Sequence, residues 1–453
     1  MSSKKYSLVF ESQKKFFESK ATLDISYRIN SIKKLKKQIQ LHENEIIKAL
    51  NKDLGKSLAE SYMSEIGIIY NEINYVLKKI KKWSKKRKVS SSLFNFLSTD
   101  YILPCPYGVT LNISPWNYPF QLSISPIIGA ISAGNTVVLK PSEHSPNTTN
   151  ILKLVIEKSF ERGHVDIVTG GPDIGQKLLE LNWDYIFFTG STEIGKIVAK
   201  EAAKTLTPVT LELGGNNPCV IDKNISLKTT SKRVIWGKFL NCGQTCIAPN
   251  FLAVDVKIKD SLLNQLISDI KDTFGDDVYN SPYYSRIINK KHVERLSKLI
   301  KGYKLLHGGN YIIEKNFFEP TILEVKSIKD KILKDEIFGP ILPVLTYQSV
   351  DDLKNILNEY KKDQTIDTEI KNITEFGIFA KLNDNIDGLI HKNDLSWTDS
   401  NGDRTLKKYQ KGQNIQVKIL EIDPEKEKIS FGIKQLSPDP FHEFFKDKNK
   451  GDI

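Results

Sequence analysis

The sequence predicts an α/β chain built on a parallel sheet, followed after residue 360 by an all-β barrel. Three observations carry this. Short apolar strands alternate with helical stretches from about residue 102 to 218, and a second α/β run spans 215–359. That strand–helix–strand rhythm belongs to a parallel sheet between two helical layers. From Asp363 the pattern becomes a two-residue alternation with turn signals at Asn383–Asn385, Ser400–Gly402 and Asp423–Pro424, as in an antiparallel barrel. Finally, 453 residues that are 40% hydrophobic and 26% charged exclude a disordered or collagen-like chain, and at ~150 residues per domain they make about three domains.

In chain order, the first ninety residues read as amphipathic helices, with apolar positions at Ile29, Ile32, Leu35, Ile39 and at Ile66, Ile69, Ile73, Leu77. They hold 21 Lys/Arg against 9 Asp/Glu, which equals the net +12 of the whole chain, densest in Lys78–Lys88. These lysines read as a solvated helix face in preference to a nucleic-acid patch. Strands follow at Val109–Ile113, Thr136–Leu139, Val165–Val168, Tyr185–Phe188 and Thr207–Leu211. Sheets of this kind bind ligands beyond the carboxyl ends of their strands. The second run contains Val234–Asn241, an amphipathic segment at Ile258–Phe274 and a strand at Ile341–Leu345, and a domain boundary is predicted near Lys361–Asp363. Four irregularly spaced cysteines make no disulfide framework or metal site. The N-terminus lacks a secretory apolar core, and no stretch is long enough for a membrane span. A cytoplasmic protein is expected.

Four segments place reactive residue types in glycine-rich or proline-framed loops. Asn117 follows a strand between Pro115 and Pro119; its carboxamide could donate to an oxyanion, or simply form an Asx turn. Phe187–Gly195 runs from a strand through Gly-Ser-Thr into a helix start, which offers free N–H groups to a phosphate or is a plain connection. Glu212 ends a strand before paired glycines, as a general base or a solvated edge residue. Cys246 lies in a Gly-Gln loop, as a nucleophile or a small buried hydrophobe.

Together these segments closely resemble the aldehyde dehydrogenase superfamily, especially its class-three-like branch, over about Tyr6–Asn358. The specific pair is LELGG with its glutamate and a GQxC cysteine 34 residues later; GNTVVLKPSE (Gly134–Glu143) and EIFGP (Glu336–Pro340) follow the family pattern in order. The resemblance implies a Rossmann-like NAD(P)-binding domain over 1–213 and an α/β catalytic domain over 214–360. It implies that Cys246 attacks the aldehyde, that Asn117 and the Cys246 N–H hold the oxyanion, and that Glu212 activates water. Lys140 and Glu143 would hold the adenosine ribose, and Gly190, Ser191, Thr192, Glu193, Ile194 and Gly195 would lie along the pyrophosphate. Glu336 and Phe338 would position the nicotinamide ribose. Cys242 reads as structural. Glu143 favours NAD modestly, with NADP possible. The implied substrates are medium-chain aliphatic or aromatic aldehydes, and the implied assembly is a homodimer.

The last ninety residues carry a second set: Lys371–Leu382, Gly388–His391, Ile415–Asp423 and Ile429–Leu436. It is similar to the OB-fold RNA-binding repeat of bacterial ribosomal protein S-one, over 363–437. Strict alternation would separate Phe376 from Phe379, while a bulge at Gly377 would present both rings outward. Phe376, Phe379 and His391 match the family's RNA face, with Lys426 or Lys428 as a phosphate contact. Residues 359–453 carry a net −2, so any binding of single-stranded RNA should depend shallowly on salt.

Aldehyde dehydrogenases continue past the position matching Asn358, supplying the last catalytic strands and an oligomerisation strand, whereas here the repeat begins within a few residues. Residues 438–453 resemble a linker or the start of a further repeat. The chain therefore reads as two gene fragments joined, by natural fusion or by an assembly or gene-calling error, with a truncated catalytic domain that is either active or part of an inactive fusion. Sequencing across the junction together with the intact mass of the natural protein decides the origin.

Overall fold

The computed structural model describes residues 4–95, 97–349, 352, 364–382, 387–399, 402–423 and 428–437. It divides into two units, Met1–Ser349 and Val350–Ile453. The boundary predicted near Lys361–Asp363 and the segment 438–453 lie outside the described residues.

The first unit opens with helices Lys4–Glu18, Ile25–Leu41, Glu43–Leu54 and Gly67–Trp83. Asp24 starts the second by accepting from the Ser26 N–H, satisfying one of the amides a helix start leaves free. Its apolar stripe is buried as the 3.6-residue period requires, with Ile32, Leu35 and Ile39 at 0% exposure. The basic run keeps its charges in water; Lys81, Lys82, Lys85 and Lys86 are all exposed.

Five parallel strands follow: β1 Val109–Ile113, β2 Thr136–Lys140, β3 Val165–Ile167, β4 Tyr185–Thr189 and β5 Val209–Glu212. Their order in the sheet is β3-β2-β1-β4-β5, so the chain leaves the centre to one side, returns beside β1 and continues to the other. The crevice of such a sheet opens where that reversal occurs, between β1 and β4. The register aligns Ile113 with Lys140 and Phe188, and Thr189 with Glu212. The carboxyl ends thus form one edge, from which the loops carrying Asn117, Glu143 and Ser191 depart. Helices Gln121–Ala133 and Pro146–Ser159 pack with the N-terminal helices on one face, while Tyr6, Trp183 and Val198 belong to the core of the other.

A second five-stranded sheet is built from β6 Pro218–Ile221, β7 Phe251–Asp255, β8 Leu305–His307, β9 Thr321–Glu324 and β10 Ile341–Tyr347, in the order β8-β9-β10-β7-β6. It is parallel except for the β8–β9 pair. The segment Val234–Asn241 belongs to helix Leu227–Phe239 and the 3-10 turn after it.

The second unit is a closed barrel of β11 Thr365–Thr374, β12 Gly377–Lys381, β13 Asp387–His391, β14 Asn414–Asp423 and β15 Lys428–Gly432, in the order β11-β12-β13-β15-β14. Ile370, Ile378, Ala380, Ile390, Val417, Ile419 and Phe431 fill it. The α/β fold with parallel sheets and the terminal all-β barrel are those predicted. One local expectation changes: the register shift lies between Ile370 and Asn372 on β11, not at Gly377, and Phe376 sits in the turn before β12, where strand alternation does not apply.

Candidate active site

The site is assembled from loops at the carboxyl edge of the first sheet and a loop between helix Leu227–Phe239 and β7. That second loop is unusual at its backbone: Asn241, Cys242 and Gly243 have φ of +53°, +56° and +72° in succession. Two non-glycine residues in the left-handed region cost free energy that the surroundings must supply. Only glycine fits the third position, because a Cβ on Gly243 would lie 2.4 Å from the Gly339 carbonyl oxygen. The buried Gln244 clamps the loop, donating to Asn241 O and Arg286 O and accepting from the Ile288 N–H, each at 3.0 Å. Cys246 follows, half-buried, its carbonyl held by Asn217 Nδ2 at 2.7 Å.

Asn117 meets this loop directly. Its carboxamide is 4% exposed and donates to Gln244 O at 3.0 Å. An amide NH₂ has two donors, so one N–H beyond that bond stays available. Next to it, the Tyr118 hydroxyl pairs with Thr245 Oγ1 at 2.6 Å.

Two carboxylates act on the Cys246 thiol. Burial pushes its pKa up, Glu336 pushes it further, and Glu212 adds to the effect, while the Cys246 and Ile247 backbone N–H groups oppose it. Glu212 ends β5 and is exposed. Glu336 is half-buried with its pKa raised by burial, against the pull of the Gly215 N–H, Lys238 and Arg295. It lies against Gly214, where a Cβ would fall 1.9 Å from Glu336 Oε2. Lys238, 1% exposed, is pushed down to about 7 by burial against the counter-pull of Glu336 and Cys242. Cys242 is fully buried, donates to the Tyr284 hydroxyl oxygen at 3.2 Å and is pushed up to about 12 by burial, properties of a structural thiol.

The remaining predicted residues lie along the same edge. Lys140 ends β2 and donates to Glu143 at 2.7 Å. Burial works against the Glu143 charge, but that ion pair and a backbone bond outweigh it and hold the carboxyl low. Gly190 donates to Glu212 O at 3.0 Å. Ser191 caps helix Thr192–Ala203, accepting from the Ile194 N–H, and Thr192, Glu193 and Ile194 are exposed at the start of that helix. Gly195 is buried against Leu213, which a Cβ would approach to 2.7 Å. Phe338 has φ +46° and stacks edge-on with Trp116 at 5.4 Å, its turn held by Arg295 on Ile337 O and Phe338 O.

On the barrel, Phe376 and Phe379 are 63% and 36% exposed. The register sets Gly377 opposite His391 and Phe379 opposite Leu389, so Phe379 and exposed His391 share the outer face and Phe376 adjoins it. Lys426 lies outside the described residues, and Lys428 opens β15.

Sequence reading missed Lys56, Glu60, Glu65, Lys238 and Arg295. Only Glu65 left a signal, since it sits four residues before Ile69 on a stripe that is otherwise apolar.

Fold and site together place a half-buried thiol beside a doubly wound sheet of the nucleotide-binding type. The chain belongs to the aldehyde dehydrogenase family, whose model matches residues 1–363; residues 359–434 match the S1 RNA binding domain. It is 41% identical over 355 residues to 4,4'-diaponeurosporen-aldehyde dehydrogenase of Staphylococcus aureus, spanning 78% of this chain and 77% of that one. It is 38% identical to aldehyde dehydrogenase family 3 member A2 of Pongo abelii, spanning 76% and 71%. Among solved structures, the substrate-bound state of Staphylococcus aureus AldH matches with TM-score 0.76 and 41% identity over 79% of this chain and 78% of that one. A Staphylococcus aureus betaine aldehyde dehydrogenase variant in complex with NAD+ matches with TM-score 0.70 and 25% identity, over 78% and 74%. Among the described residues, no helix is long and apolar enough to cross a membrane.

Proposed function

We propose that the first unit oxidises an aldehyde to a carboxylic acid through Cys246, with NAD preferred over NADP. The carrying observation is that the buried Asn117 carboxamide donates to Gln244 O in the loop that carries Cys246, at 3.0 Å. Cys246 adds to the carbonyl as thiolate. The free Asn117 N–H and the Cys246 N–H stabilise the oxyanion of the thiohemiacetal. A dinucleotide held at this site would supply the hydride acceptor for that adduct. Glu212, exposed at the end of β5, takes a proton from water as it attacks the resulting thioester, releasing the carboxylate and regenerating Cys246.

The residues present fit the cofactor. Glu336 Oε1 and Thr189 Oγ1 are buried without a hydrogen-bond partner, and an unpaired polar atom in a dry site is costly until something binds it. Glu336 and Phe338 would hold the nicotinamide ribose, Lys140 and Glu143 the adenosine ribose, and the Gly190–Gly195 helix start the pyrophosphate. Four free cysteines among the described residues suit a reducing compartment such as the cytoplasm. The test is absorbance of NADH with a panel of aliphatic and aromatic aldehydes; no turnover with any of them overturns the reading. Because Glu143 stays charged, Glu143→Gln should raise relative kcat/KM for NADP by about three- to tenfold, ~0.7–1.4 kcal/mol for one half-exposed charge. An unchanged NAD/NADP ratio would rule out that role.

The barrel supports a second reading, that the chain also binds single-stranded RNA, carried by the outward rings of Phe376 and Phe379 beside His391. Phe376→Ala in the full chain should weaken binding of a labelled oligoribonucleotide by roughly tenfold, within the ~1–3 kcal/mol of a stacked base. Equal affinity by fluorescence anisotropy would remove the rings from the interface.

A further inference from the structure

Three charged side chains lie buried beneath the two loops of the site. Lys56 and Glu65 are 0% exposed and Glu60 is 6% exposed. The glutamates belong to a helical stretch from Leu58 to Trp83 that loosens into a π turn at Tyr62–Ile66, a feature frequent at functional sites. Lys56 Nζ donates to Glu65 Oε1 and, at 3.0 Å, to the Asn117 carbonyl. It also sits 4.1 Å from the Tyr118 ring centre. Glu65 Oε2 accepts from the N–H groups of Phe120 at 2.8 Å and Gln121 at 3.1 Å. Glu60 Oε1 accepts from the Asn241 N–H at 2.6 Å, and its other oxygen accepts from Ser285 Oγ.

These bonds converge. Glu65 and Lys56 fasten the Asn117 loop, and Glu60 fastens Asn241, whose backbone is left-handed. The two loops then join, because Asn241 Nδ2 donates to the same Asn117 carbonyl at 2.7 Å. Removing three charges from water is costly, so such a network is weak evidence for stability by itself. What it holds is the spacing between a carboxamide and a sulfur. A displacement of about 1 Å there can cost ~100-fold in rate.

We propose that Lys56, Glu60 and Glu65 are positioning residues that set the Asn117 carboxamide against the Cys246 sulfur before any substrate binds. This rests on the roles given above to Cys246 and Asn117.

Two reactions of the same sulfur, neither needing a cofactor, separate the possibilities. Alkylation by iodoacetamide needs only a reachable thiol, whereas acylation by p-nitrophenyl acetate also builds an oxyanion for Asn117 to hold. In the full chain, Glu60→Ala should slow acylation by about tenfold or more while alkylation of Cys246, read by peptide mass spectrometry, stays within about twofold. Glu60→Gln, which keeps an acceptor for the Asn241 N–H, should restore acylation to within about threefold of the parent. Should Glu60→Ala fail to fold, Lys56→Met combined with Glu65→Gln removes both charges at nearly constant volume and should show the same split. Unchanged acylation in a folded variant overturns the proposal, and so do acylation and alkylation falling in equal proportion. A parent chain that alkylates at Cys246 but never acylates would overturn the assigned site itself, which distinguishes the two failures.

Discussion

Cys246→Ala should abolish aldehyde oxidation, lowering kcat/KM by on the order of 10⁴-fold or more, because no other group on the site edge can form the covalent adduct. Cys242 cannot substitute. It is buried at 0% exposure, occupied with Tyr284, and pushed up to about 12 by burial. The variant should fold normally, since the loop is held through Gln244 and Asn217. A thermal midpoint within a few degrees of the parent would establish that. The parent thiol carries its own pH signature. Burial and the negative fields of Glu336 and Glu212 raise its pKa, so the neutral thiol is favoured and the thiolate fraction keeps rising above neutrality. Iodoacetamide alkylation of Cys246 should therefore climb steadily with pH into the alkaline range. A plateau already reached near neutrality would show a depressed pKa and contradict the electrostatics. Residual NADH formation by Cys246→Ala within about a hundredfold of the parent would remove Cys246 from the nucleophile's role.

Some of this was written legibly along the chain and some was not, for physical reasons. Glu212 and Cys246 stand out because each follows or precedes glycines in a connection that needs close backbone approach. The glycines that allow it stay visible as letters: Gly214 against Glu336 and Gly243 against Gly339. Alternating apolar strands announced the sheet, since β2 is buried along its whole length. Lys56, in a short connection, and Glu60 were invisible, and Glu65 showed only as a charge on an apolar stripe, because charged residues are assigned to water by default. A π turn shifts which positions face inward, and only three-dimensional partners reveal a buried carboxylate's role. Phe376 is exposed as expected but for another reason: a bulge at Gly377 was expected to turn it outward, whereas the ring stands in a turn, where strand alternation does not apply. Net charge taken alone points to the wrong segment for RNA. The +12 surplus sits in the first ninety residues, where the densest run is exposed at its lysines from Lys81 to Lys88, while the S1-type barrel, the segment with an RNA-binding signature, lies in a stretch carrying −2.

The second large effect should come from Asn117→Ala, with kcat falling by about 10²–10³-fold, the ~2.7–4 kcal/mol typical of one oxyanion donor, and KM nearly unchanged. The backbone around it should not move. The Asn117 carbonyl is held by Lys56 Nζ and Asn241 Nδ2, and neither bond involves the side chain that is removed. What is lost is one hydrogen bond to Gln244 O and the second N–H aimed at developing charge. An interaction realised only as the oxyanion forms lowers kcat and kcat/KM together and leaves ground-state binding alone. Asn117→Asp sharpens the test, because it keeps the volume but replaces both donors by acceptors. That carboxylate would face the Gln244 carbonyl and the oxyanion alike, so its kcat should fall below that of the alanine variant. If Asn117→Ala raised KM with kcat intact, the carboxamide would be a substrate-binding group. If Asn117→Asp proved the more active of the two, hydrogen-bond donation would not be what this residue contributes.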